Sequence, residues 1–193
     1  MRSGGRWGLV SSLSGPLPLD SARWSELSHA YGPASDLPDL LSQIDRMEEI
    51  SFEDKGGPFS QLISAVYHQG DATSAALAAA PHLLRTAQSK AIPSRINLLI
   101  VLGWIESVRT QECSERIGPL YEIYRQCISE ALSECIQILQ LDDLDPVDLR
   151  YLLGALAAFK GKQFLAARVF QLDELYAHYL EQTGQDDTPP TRL

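Results

Sequence analysis

The chain has 193 residues and a mass of 21.3 kDa, enough for one compact domain that buries roughly two-thirds of its unfolded surface. Hydrophobic residues make up 45% and charged residues 21%, an ordinary globular balance that excludes fibrous and disordered classes. Lys+Arg number 16 against 25 Asp+Glu, and the resulting formal charge of −9 argues against a general affinity for phosphate backbones or anionic lipid and favours basic or neutral partners.

In chain order, residues 1–20 are expected to be an irregular leader. Arg2 and Arg6 precede Trp7-Gly8-Leu9-Val10, but Ser11, Ser12, Ser14, Gly15, Pro16 and Pro18 break the apolar core that a signal peptide needs. Residues 21–183 read as a single helical-repeat domain and 184–193 as a disordered tail, with Asp186-Asp187 and Pro189-Pro190. A short helix is expected over Trp24, Leu27 and Ala30, stopping at Gly32-Pro33. The next starts at Ser35 or Asp36, with Pro38 in its first turn, and buries Leu37, Leu40, Leu41 and Ile44. After a charged loop, a helix from about Pro58 to Gln69 buries Phe59, Leu62, Ile63 and Val66 and uses Gly70 as a left-handed C-cap. The Ala-rich run from Ala72 to Thr86 follows, with Pro81 expected to kink or split it.

Ser94 is expected to cap a central helix, apolar on most of its circumference, that carries Ile96, Leu99, Ile100, Leu102, Trp104, Ile105 and Val108. A long helix from about Pro119 to Leu141 follows, with an apolar stripe of Leu120, Tyr124, Ile128, Leu132, Cys135, Ile136 and Leu139. Asp145-Pro146 starts a helix with Leu149, Leu152, Leu153, Leu156 and Phe159. The last runs from Gln163 to about Glu181. Nothing alternates like a strand, so the expected class is all-α. Short connections and small residues at the crossings favour stacked antiparallel helical hairpins, a short α-solenoid. No apolar run reaches membrane-spanning length. Three cysteines, two of them eight residues apart on one helix, read as reduced thiols in a cytoplasmic protein.

Trp24, Leu27 and His29-Ala30-Tyr31-Gly32, then Tyr67-His68-Gln69-Gly70 and Ala80-Pro81-His82-Leu83-Leu84, form a pattern that resembles the opening of a group of bacterial HEAT-like repeat proteins. The segment from Tyr151 to Ala166 resembles the repeated helix–turn–helix of that group. The resemblance implies a binding scaffold without known catalysis, and small acidic members of the group look like immunity proteins that neutralise bacterial toxins.

Chemical motifs give no competing signal. His29, His68 and His82 lack partners at metal-binding spacing, and His178 has only Glu174 and Glu181 nearby, so the histidines are read as structural, with His29 and His68 bonding helix ends. The run Asp142-Asp143-Leu144-Asp145 lacks the glycine and bidentate glutamate of a calcium loop. No nucleophile elbow, phosphate loop or dinucleotide fingerprint occurs, so no catalytic residue, metal or cofactor is expected. A helical-repeat nucleic-acid enzyme of the DNA-glycosylase kind is the enzymatic alternative. It would need a basic groove, such as a cluster of Arg23, Arg85, Lys90 and Arg95, whereas Lys and Arg are scattered.

Charge is unevenly divided: residues 1–100 sum to −2 and residues 101–193 to −7. Glu122, Glu130, Glu134, Asp142, Asp143 and Asp145 are therefore the expected partner-binding residues. Glu106, Glu112 and Glu115 lie upstream of them, and Tyr121 or Tyr124 would supply aromatic contact area if exposed. The expected function is non-enzymatic protein binding, with a basic toxin domain as partner and neither membrane nor nucleic acid. A general protein scaffold has the same sequence requirements.

Overall fold

The computed structural model describes residues 15–68 and 70–172. The rest of the expected leader, the expected tail, the end of the last expected helix and His178 lie outside the described residues. A 3-10 turn at Ala22–Glu26 is followed by α1 (Leu37–Arg46), α2 (Pro58–Val66), α3 (Ser74–Ser89) and α4 (Ile92–Ser107). Then come α5 (Gln111–Arg116), α6 (Leu120–Ile138), α7 (Pro146–Phe159) and α8 (Gln163–Phe170). The class is all-α, and no helix among the described residues is long and apolar enough to cross a membrane.

Two short antiparallel ladders depart from the helical expectation. β1 (Ser28–His29) pairs with β2 (Gly32–Pro33), and β3 (Tyr67–His68) with β4 (Asp71–Ala72). The expected helix over Trp24 to Ala30 is thus one turn and half a hairpin. Gly70, at φ 81°, closes the second hairpin and does not end a helix, because α2 stops at Val66. Such ladders are too short to leave an alternating pattern in the sequence.

Helix starts follow their punctuation more closely. Asp145 accepts from the Val147 amide at 2.8 Å ahead of Pro146, as its N-cap position requires, and Thr73 and Thr110 cap α3 and α5. Helix α3 runs unbroken through Pro81. Ser94 lies inside α4, where its buried hydroxyl accepts from the Ile50 amide at 2.9 Å and anchors the loop after α1. Side chains close the carbonyl ends: Lys90 donates to Asp45 and Met47, and Arg95 to Ala87, Gln88 and Lys90.

Helix α4 is buried around most of its surface, packing on α3, α6, α7 and α8. Helix α3 packs between α1 and α6, and α4 packs on α7. Gly103 permits the α4–α7 crossing. A Cβ there would lie 2.6 Å from the Ala155 Cβ and 2.7 Å from its Cα. Gly103→Ala is therefore expected to cost about 1–3 kcal/mol through backbone displacement, read as a lowered urea midpoint with unchanged m.

Residues 15–20 carry no helix but are packed: Leu17 is buried, and Trp24 Nε1 donates to the Pro18 carbonyl at 2.9 Å. His82 on α3 donates from Nε2 to the Leu17 carbonyl at 2.8 Å. Burial lowers the His82 pKa from its ordinary 6.5. The unfolded chain then binds the proton more readily, so stability is fully present above about pH 6.5 and declines below it. His82→Gln is expected to flatten that acid limb while keeping the hydrogen bond to Leu17, as measured by melting temperature between pH 7 and 5.

Candidate functional site

The six expected partner-binding carboxylates do not form one patch. Glu122 is exposed and lies 4.0 Å from its own Arg125. Glu130 is exposed and accepts from Gln126 at 2.8 Å. Glu134 turns inward: it is largely covered, faces Arg95 at 3.5 Å and accepts from Gln88 at 3.4 Å, bracing α6 against α3 and α4. From Glu122 to Glu134 the helix rises about 18 Å and rotates about 120°. Asp142, Asp143 and Asp145 are exposed together between α6 and α7, and no cation pairs with them among the described residues.

Those three carboxylates sit beside aliphatic side chains expected in the core. Ile136 is 41% exposed and Leu153 45%, and Leu141, Val147 and Leu149 are also exposed. Ile136 therefore leaves the predicted α6 stripe, and Leu149 and Leu153 leave that of α7. The buried faces contain Cys127, Ala131 and Ile138 on α6, and Gly154, Ala155 and Ala158 on α7. Cys135 Sγ lies 3.4 Å from the Leu152 carbonyl oxygen, which places Ile136 and Leu153 at the same level on adjacent helices. Leu141, Val147 and Leu149 adjoin the acidic loop, and Ile136 and Leu153 lie further along the same two helices.

Glu106 is not part of any acidic surface. It is 5% exposed near the end of α4, and its carboxylate accepts from Arg109 Nε at 2.8 Å, Arg109 Nη2 at 3.0 Å and the Tyr124 hydroxyl at 2.5 Å. Arg109 also donates to Ser114 and stacks over Tyr121, whose ring is stacked on Tyr124. Gln163 Nε2 donates to the carbonyls of Glu106 and Arg109 at 2.8 and 3.0 Å, closing the end of α4 from the first turn of α8. Hydrogen bonding to Glu106 raises the Arg109 pKa further. Burial, reinforced by the Glu106 charge, pushes the Tyr124 phenol well above its usual value of 10. Tyr124 is thus a core residue and supplies no exposed contact area.

A cleft of about 250 Å³ opens beside this network, lined by Arg125, Ser129, Leu132 and Phe159 among others. Both oxygens of Glu106 are already occupied by donors, so the arrangement ties four helices together. The usable sequence signal was Glu106 in register with Leu99 and Leu102 on an apolar helix, followed by Arg109 three residues on.

The two hairpins bring a second polar group together. His29 Nε2 donates to Asp36 at 2.9 Å, and its Nδ1 accepts from the Tyr31 amide at 3.0 Å. The Tyr31 ring lies 6.0 Å from that of His29 and 5.4 Å from that of His68, and its hydroxyl meets Ser64. Both His29 nitrogens are spent. Among the described residues no group of three His, Cys, Asp or Glu side chains is placed to hold a metal ion. Lys90 and Arg95, candidates for a basic groove, spend their donors on helix carbonyls. No family model matches this chain, and neither a curated protein nor a solved structure is similar to it.

Proposed function

We propose that this chain is a non-catalytic protein-binding module that offers its α6–α7 face to a partner with a basic surface, and that the partner is a bacterial toxin domain neutralised in the cytoplasm. The supporting observation is the exposed Leu149 beside Asp142, Asp143 and Asp145, with exposed Ile136 and Leu153 further along the same helices and no cation to neutralise the loop among the described residues. Apolar contact area supplies affinity, and an unpaired carboxylate rim supplies orientation and selection of a cationic partner. Glu122 is offset by its neighbouring Arg125, and Glu134 is committed to packing.

The test is co-expression with the basic protein that co-purifies stoichiometrically and is toxic alone. The wild-type chain is expected to restore growth, and a Leu149→Ser/Leu153→Ser variant with unaltered melting temperature to lose protection. Equal protection by both would place the interface elsewhere, and co-purification of nucleic acid alone would remove the proposal.

A further inference from the structure

We propose that two copies of this chain associate through the α6–α7 seam, about a two-fold axis that passes beside Leu153. This goes beyond the partner-binding reading and uses the same face, so a second copy and a foreign partner exclude each other there, but it is tested on the chain alone. Leu132 and Ile136 on α6 with Leu139 at its C-cap, and Leu149, Leu153 and Leu156 on α7, each recur at i, i+4 and i+7 and so mark one face of each helix. Ile136, Leu149 and Leu153 are exposed, and Leu132, Leu139 and Leu156 are half-covered. Among the described elements α8 packs on α7 and α4, and Ile136, Leu149 and Leu153 stay exposed.

The charges at the two ends of the seam favour a second copy as its occupant. One end carries Asp142, Asp143 and Asp145, and the other carries exposed Lys160 and Lys162, with Arg125 nearby paired to Glu122. Leu153 is seven residues from Pro146 and seven from Lys160, about 10 Å of helix in each direction. A two-fold contact joins each surface element to its counterpart across the axis, so an axis at Leu153 brings Lys160 and Lys162 of each copy to the acidic end of the other. The apolar seams then face each other and four antiparallel helices pack together. Residues 173–193 are a poorer match, since they contain five carboxylates and one arginine, the same sign as the Asp142–Asp145 rim.

Sedimentation equilibrium of the full chain at physiological ionic strength tests this. The average mass is expected to rise with concentration from 21.3 kDa toward twice that value. Leu153→Asp is expected to hold the chain monomeric. Asp142→Lys/Asp143→Lys should weaken association about tenfold or more, and Lys160→Glu/Lys162→Glu added in the same chain should restore it. The restoration separates self-association from binding of a foreign basic partner, which the four-fold variant would still lose. A chain that stays monomeric into the millimolar range, a dimer indifferent to Leu153→Asp, or a four-fold variant that does not recover would each overturn the proposal. As a check independent of altered folding, Leu153→Cys should form a disulfide-linked dimer under mild oxidation and Phe164→Cys, 76% exposed on α8, should not. Equal cross-linking of the two would also overturn it.

Discussion

Glu106→Leu is expected to lower the unfolding free energy by about 3–5 kcal/mol. The substitution leaves the Arg109 guanidinium, with its side chain 22% exposed, next to leucine in place of a carboxylate. It also removes the acceptor of the buried Tyr124 hydroxyl. Two strong groups are stranded by one change, and each then carries a desolvation cost without compensation. Glu106→Leu combined with Arg109→Leu should recover part of the loss, because no isolated charge remains. Urea titrations of the two single variants and the double variant measure this as a coupling energy. Additive losses would mean that the pair acts as two unrelated contacts.

The same network sets an alkaline limit. The folded protein holds the Tyr124 proton well beyond the usual phenol range, whereas the unfolded chain releases it from about pH 10. Its contribution is fully present below that pH and is lost as pH rises further toward the folded-state value.

How much of this could be read from the sequence depends on whether a feature has a local signature. The run Asp145-Pro146 combines an N-cap with a residue suited to the first helical turn, and α7 begins there. Helix α4 was legible as central from its apolar circumference. The hairpins at His29 and His68 were not, because a two-residue ladder has no period, and the same glycines also fit helix ends. By sequence Glu106 falls in with the acidic second half, because its partners come from other elements: Tyr124 is 18 residues away and Gln163 is 57. Glu134 reads as a partner-binding carboxylate for the same reason, since Arg95 and Gln88 approach it from α4 and α3. Conversely, Ile136 and Leu153 fit a core stripe by spacing alone. Their exposure follows from which elements pack against α6 and α7, which spacing within one helix does not record.

These corrections change which substitutions separate binding from folding. Asp142→Lys/Asp143→Lys is expected to slow association with a basic partner by about 10- to 100-fold at low ionic strength, with the melting temperature unchanged. Both side chains are exposed and unpaired among the described residues, so reversing them breaks no contact there. Asp145 is spared because it caps α7, and replacing it would add a stability loss of about 1 kcal/mol. Glu134→Lys should behave in the opposite way: it places an ammonium against Arg95 in a largely covered site, so stability falls before binding is affected. Stopped-flow association at several salt concentrations, with the chain dilute enough to be monomeric, distinguishes the two. The wild-type rate should fall steeply with salt and the loop variant should show a shallow dependence. If both rates respond alike to salt, the Asp142–Asp145 loop does not steer the encounter, and the apolar seam must select the partner by shape alone.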